Sequence, residues 1–192
     1  THVAMKKLQR LFGQSITLIA FNLVFIDSAH STRATVSIPA SSNQTCQQAI
    51  NSVGRDLASK GAFVPHNTDL PQVGRVEPKV SIKNGNFSQG YYNYPTNRPQ
   101  MVEFMLSGEM SRLSQGVMSS PNFLATSTAK IMAECPQVGM VKFRHWWEGF
   151  VPVGYFSDST ARTFSWVNPY NPNSREVRTR NGKYPWGYYY SP

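Results

Sequence analysis

The side chains of this chain that could carry catalysis are few. Of its 10 acidic residues, nine follow residue 34, and none of them forms a recognised catalytic pair. Glu103 is the most interesting, because strand alternation puts it on one face with Met101 and Met105, which could bring a carboxylate near the core. An outward-facing strand residue is the simpler interpretation. His145 has no visible partner for acid–base chemistry and is more simply a hairpin residue.

Metal, cofactor and nucleic-acid sites have no motif in the sequence. The two cysteines and the histidines after residue 34, His66 and His145, lack metal-ligand spacing. Gly85 and Gly90 stand alone and do not form a phosphate-binding loop. We therefore expect no cofactor, no metal and no nucleic-acid partner.

Aromatic and basic residues give the best binding hypothesis. Two tryptophans occupy a predicted hairpin tip, and a basic stretch near the C-terminus is followed by several aromatic residues. Exposed aromatic rings can stack on sugars or dock on proteins. The alternative is that these rings cover the domain's own apolar surface. The candidate binding residues are Trp146, Trp147, Arg175, Arg178, Arg180, Lys183, Tyr184 and Trp186.

Two amphipathic helices are predicted. Thr45 and Gln48 form a capping box that begins a helix over about 46–60, with one apolar stripe. Ser120 and Pro121 begin a second helix, in which the serine accepts a backbone N–H and the proline takes the first helical position. This helix ends at Cys135, before Pro136.

Strands surround the second helix. Residues 101–106 precede it, and apolar runs over 138–145, 149–157 and 163–167 follow with short connections typical of an antiparallel meander. The passage from 101–106 through the helix to 139–144 is long enough for a βαβ crossover, or for a helix laid over an antiparallel sheet. We predict a single α+β domain with a mostly antiparallel sheet and two helices packed on one face.

The N-terminal segment has the pattern of a secretory signal peptide. Four residues precede Met5, three basic residues follow it, and residues 16–26 are apolar and too short to span a membrane. Cleavage is expected after Ser31 or after Ala34, which assigns residues 1–34 to the signal peptide. The full chain carries a net charge of +9, and removal of 1–34 leaves about +6. Such a basic exported protein favours anionic partners.

Both cysteines follow the predicted cleavage site. In an exported chain, Cys46 and Cys135 most simply form one disulfide, with two buried thiols as the alternative. The bond would require the start of the first helix to lie beside the end of the second, as in antiparallel packing.

The predicted organisation has four parts. After the signal peptide comes an extended leader over 35–45, then the α+β domain over 46–168. Residues 169–192 contain no periodic apolar face and are predicted to be a basic, aromatic tail, mobile or laid along the domain surface.

Several of these features together resemble a group of small exported proteins from cyanobacteria. They are Arg98-Pro, Val102-Glu-Phe, Met118-Ser-Ser-Pro, the helix ending in Cys135, and Val138-Gly-Met-Val-Lys-Phe. The helix start here is one residue longer than that pattern, and the resemblance covers about 45–167. It implies an exported compartment and an α+β fold, and it implies no activity.

We therefore expect a periplasmic or extracellular protein with a non-enzymatic, binding or envelope-associated role. The expected partner is an anionic envelope polymer or another envelope protein, with no transmembrane segment after cleavage. The alternative function is an envelope hydrolase with an unrecognised acid–base pair. A flat basic and aromatic surface would favour binding, and a cleft joining Glu103 or His145 to a second titratable group would favour the hydrolase.

Overall fold

A computed structural model of the chain describes residues 33–61, 79–106, 115–145, 149–168 and 179–190. Most of the predicted signal peptide lies outside these residues, as do Trp146, Trp147, Arg175 and Arg178. In chain order the elements are β1 (Thr35–Ser37), α1 (Cys46–Ser59), β2 (Lys79–Asn84), α2 (Phe87–Gly90), β3 (Tyr91–Tyr92), β4 (Gln100–Leu106), α3 (Gln115–Met118), α4 (Pro121–Glu134), β5 (Val138–His145), β6 (Gly149–Phe156), β7 (Thr160–Thr163), β8 (Ser165–Trp166), β9 (Tyr184–Pro185) and β10 (Tyr188–Tyr189).

Six of the strands form the main sheet, in the order β1-β7-β6-β5-β4-β2. Every neighbouring pair is antiparallel except β4 and β5, which are parallel. These two strands flank α4 in the chain, so the segment is a βαβ crossover, and the choice left open by the connection lengths is settled in its favour. The predicted α+β class and the mostly antiparallel sheet are confirmed.

The predicted capping box begins α1. The Thr45 hydroxyl accepts the Gln48 N–H at 3.2 Å, and the Gln48 side chain accepts the Thr45 N–H at 2.8 Å. The buried positions Ile50, Val53 and Leu57 follow at three- and four-residue spacing. The apolar stripe in the sequence therefore faces the core, as predicted.

The start of α4 differs from the prediction in one detail. Pro121 takes the first helical position, but the Ser120 side chain makes no capping hydrogen bond. Its hydroxyl donates instead to the carbonyl of Gly116, in the preceding short helix. Ser120 therefore links α3 to α4, because its hydroxyl bonds to a carbonyl of α3 and does not cap α4.

The disulfide joins the two long helices. Cys46, the first residue of α1, is bonded to Cys135, which follows α4, with the Cα atoms 4.8 Å apart. Further along α1, Asp56 pairs with Lys130 at 3.6 Å. These contacts progress in opposite directions along the two helices, so the predicted bond and the antiparallel packing are both confirmed.

The sheet face beneath the helices, called the helix face below, carries an aliphatic core. Val102, Phe104 and Leu106 of β4 are fully buried there, and Phe104 stacks on Phe143 of β5 at 5.6 Å between ring centroids. Side chains from α1 and α4 complete the same cluster. Burial of this apolar surface is the main stabilising term of the fold.

The opposite face of the sheet, called the second face below, is partly covered by residues 179–190, the C-terminal segment. Its strand β9 pairs with β3, and β10 pairs with β8, both in parallel. Trp186 lies between them in an aromatic cluster built around Phe87, Met140, Phe164 and Trp186. The C-terminal segment thus adds two short strands and one buried ring to the domain predicted for 46–168.

Candidate binding surface

A group of charged residues occupies the part of the second face that contains Glu103. Glu103 is 8% exposed. Its carboxylate lies 3.3 Å from the Lys83 ammonium and 4.0 Å from the Lys142 ammonium. With Arg144, two positions beyond Lys142 on the same face of β5, these four residues form what we call the charged region.

Strand register brings the charged region together. Glu103 of β4 lies opposite Lys142 of β5 and opposite Ser81 of β2. Lys83 is two positions along β2 from Ser81, which puts it diagonally across from Glu103 on the same face. Glu103 does share a face with Met101 and Met105, as the alternation predicted, and that face points away from the helices.

Positive charge exceeds negative charge in this region. Among the described residues, the charged groups acting on Lys142 are Glu103, Arg144 and Lys83, one anion and two further cations. Burial lowers the pKa of Lys142, the two cations lower it further, and Glu103 opposes both effects. Lys142 therefore carries its charge in a partly desolvated place where another anion would be favourable.

Aromatic residues border the charged region on one side. The Lys142 ammonium lies 3.7 Å from the centroid of the Phe150 ring, an arrangement that favours the cation. Phe150 in turn contacts Tyr189 of the C-terminal segment at 5.3 Å between centroids. The charged region and the covered aromatic part of the second face are therefore continuous.

The neighbours of Glu103 do not support the hydrolase alternative. Two ammonium groups contact the carboxylate, so it is held as an ion-pair partner. His145 is 2% exposed and lies opposite Leu106, on the helix face. The structure thus separates the two titratable side chains singled out in the sequence, placing them on opposite faces of the sheet.

The predicted binding residues of the C-terminal segment differ in exposure: two basic residues lie at the surface, and two aromatic residues are partly or fully buried. Arg180 and Lys183 exchange two backbone hydrogen bonds at 2.9 and 3.0 Å, which places both on one tight turn at the surface. Tyr184 is half-buried in β9. Trp186 is only 7% exposed, so its ring is not available to a ligand.

Trp186 is instead a packing residue. Its indole N–H donates to the carbonyl of Tyr155 at 2.8 Å, and its ring meets Phe164 edge-on at 4.9 Å. Gly154 lies beneath the indole, where a Cβ would come 2.9 Å from it. This corresponds to the alternative in which the aromatic residues cover the domain's own surface.

Lys83, Lys142 and Arg144 were not among the binding residues predicted from the sequence. The one local hint was the alternation of Lys142 and Arg144 with buried Val141 and Phe143, which marks one face of β5 as basic. Lys83 lies 20 residues before Glu103, and only the pairing of β2 with β4 reveals that they meet.

A depression of about 570 Å³ lies at the other end of β6, near Asn93, Tyr94 and Asn97. Guanidinium groups already cover two of its aromatic rings. Arg98 lies 4.0 Å above Tyr155, and Arg162 lies 4.6 Å above Phe156. Each of these two rings therefore has one face occupied by a cation. The charged region, whose Lys83 and Arg144 are exposed, is the better candidate.

No protein-family model, curated protein or solved structure matches this chain. Among the described residues, no three His, Cys, Asp or Glu side chains come close enough to hold a metal ion. No helix in the described parts of the chain has the length and apolar character needed to cross a membrane.

Proposed function

We propose that this is an exported, non-enzymatic binding protein whose charged region takes an anionic polymer of the cell envelope. The observation that carries the proposal is the group of three cations, Lys83, Lys142 and Arg144, in which Glu103 supplies one carboxylate. Lys83 and Arg144 are exposed and can reach a ligand. The region suits carboxylate or phosphate groups repeated along a chain.

Two features support export. The N-terminal sequence has a basic, then apolar, then small-residue pattern. The Cys46–Cys135 bond is compatible with an oxidising compartment outside the cytosol. An anionic envelope polymer would be accessible to the protein in such a compartment.

The arrangement around Glu103 favours binding over hydrolysis. A hydrolytic carboxylate pair needs one acid held neutral and a second group placed to activate water. Glu103 instead contacts two lysines. A carboxylate among cations limits the excess positive charge of the unoccupied protein, and leaves a net positive site for the ligand.

A binding assay tests the proposal directly. The probe is polygalacturonate, a carboxylate polymer, with neutral dextran as the reference. Replacing Lys83 and Arg144 by Gln removes two exposed charges, and we expect affinity to fall about tenfold or more, since hydrogen bonds to charged groups contribute roughly 1.5–3 kcal/mol each. Binding by the unaltered protein should also weaken with salt, because exposed charges are screened.

The matched control removes two charges elsewhere. Arg55 and Lys60 are exposed residues at the C-terminal end of α1, away from the second face. The double variant Arg55→Gln, Lys60→Gln has the same net charge as the test variant and should bind normally. Equal losses in both variants would mean that net charge alone attracts the polymer, and would contradict a defined site.

A further inference from the structure

Ala34 belongs to the core of the domain. It is 5% exposed and packs with the cluster under the helices. Its N–H donates to the Thr163 hydroxyl at 2.9 Å, and its carbonyl accepts the Thr163 N–H at 3.1 Å. Thr163 is itself 2% exposed, so removal of Ala34 would leave buried polar groups of Thr163 without these partners.

Arg33 is fitted to the second face and the C-terminal segment. Its guanidinium lies 5.5 Å from the Phe156 ring and 5.6 Å from the Tyr188 ring. Gly187, directly before Tyr188, lies next to the Arg33 guanidinium. It has φ +100°, and a Cβ at this position would come into close contact with the guanidinium. The positive φ favours glycine at this position, and the missing Cβ leaves room for the guanidinium. Arg33 bridges β6 and β10.

These contacts discriminate between the two predicted cleavage positions. Cleavage after Ala34 would remove both Arg33 and Ala34 and make Thr35 the first residue. Thr163 would then lose both of its hydrogen-bond partners on Ala34, although Thr163 itself is buried. Cleavage after Ser31 keeps both residues, and it also offers small residues, Ala29 and Ser31, in the pattern that processing enzymes recognise.

We propose that the chain is processed between Ser31 and Thr32, so that Arg33 and Ala34 remain on the mature protein as part of its fold. The reaction is hydrolysis by a signal-processing protease: water adds across the Ser31–Thr32 peptide bond, which yields the Ser31 carboxylate and a free Thr32 amino group. The proposal rests on the proposed export of the protein.

The first measurement is the N-terminal mass of the full chain after expression in an exporting host. An N-terminus at Thr32 is the expected result. An N-terminus at Thr35 would overturn the cleavage position and leave the export proposal standing. A chain that stays uncleaved would overturn the cleavage proposal. Its location would test export separately, because an uncleaved chain found in the cytoplasm would contradict the proposed export.

The second measurement does not depend on export. Chains that begin at Thr32 and at Thr35 are prepared directly, and their thermal unfolding midpoints are compared. We expect the Thr35 chain to unfold at least about 5 °C lower, or to fail to fold, because it lacks the Ala34 hydrogen bonds and the Arg33 contacts. Equal midpoints would overturn the structural basis of the proposal.

Two variants of the Thr32 chain test how much the contacts of Arg33 contribute to stability. Arg33→Ala should lower the midpoint by removing the guanidinium. Gly187→Ala should also lower it, because a Cβ at this positive φ is strained and lies against the guanidinium. Arg55→Ala changes an exposed arginine of α1 and is the matched control. If Arg33→Ala shifts the midpoint no more than Arg55→Ala, the Arg33 contacts do not stabilise the fold, and the claim that Arg33 is retained as part of it is overturned.

Discussion

The two faces of the sheet are covered in different ways. On the helix face, α1 and α4 supply regular rows of aliphatic side chains over Phe104 and Phe143. On the second face, short segments from separate parts of the chain supply single aromatic rings around Trp186. The region around Glu103 on that face carries charge, with lysine side chains that reach the surface.

This difference separates the aliphatic core from the proposed binding surface. The helix face is an apolar core closed by a disulfide, and such a core offers no group to a ligand. The second face combines a covered aromatic half with an open charged half. Because Phe150 and Tyr189 connect the two halves, a change in how the C-terminal segment packs would be felt at the charged region.

Loss of the disulfide should produce the largest effect. The bond closes a loop of 89 residues, so replacing both Cys46 and Cys135 by Ser should lower the free energy of unfolding by up to about 4–5 kcal/mol. Urea unfolding followed by far-UV circular dichroism measures this. The near-UV signal of the aromatic cluster should survive at low urea, since the bond lies on the helix side. Its immediate loss would mean that the two faces do not behave separately.

Truncation of Trp186 should come next. Trp186→Ala removes a buried ring and its hydrogen bond to Tyr155, at an expected cost of about 3–4 kcal/mol. Trp166→Ala is the control, because Trp166 is 50% exposed and its loss should change stability by less than about 0.5 kcal/mol. Similar small effects in both variants would show that the C-terminal segment contributes little to the fold.

Alkaline pH should weaken the second face selectively. Burial, and secondarily Tyr189, raises the pKa of Tyr91 from 10.0 to about 12. The folded state binds this proton more tightly than the unfolded state does. The stabilisation is therefore complete below pH 10 and is lost as the pH rises from 10 towards 12, by an amount of about 2 kcal/mol.

The Tyr91→Phe variant isolates this effect. It has no hydroxyl at that position, so its stability should fall less steeply with pH over the same interval, although Tyr189, whose pKa burial also raises, still titrates. Denaturant unfolding at pH 8, 10 and 11 gives the slopes. Identical slopes for the variant and the unaltered protein would exclude Tyr91 as the group responsible.

The sequence was sufficient for the helix face because its signals are local and periodic. The capping box of Thr45 and Gln48, the stripe of α1 and the position of Cys135 at the end of α4 each follow from residues close in the chain. The second face could not be predicted in this way. Trp186 lies in a stretch without periodicity, and its partners Phe87 and Phe164 are distant in the chain.

The charged region could not be predicted from the sequence for a related reason. Glu103 was singled out from strand alternation alone, but its lysine partners depend on the register of three strands. Register is set by which faces are buried and by the crossover through α4. Neither could be predicted from the sequence pattern, which left the crossover open.

The binding of polygalacturonate by Glu103→Gln tests the account most directly. The substitution keeps the shape of the side chain and removes the one negative charge of the charged region. Lys83 and Arg144 remain, so at low salt the affinity should rise about three- to tenfold over the unaltered protein. A folded variant that binds more weakly, or a polymer that the unaltered protein cleaves and the variant does not, would contradict the binding role and favour the hydrolase.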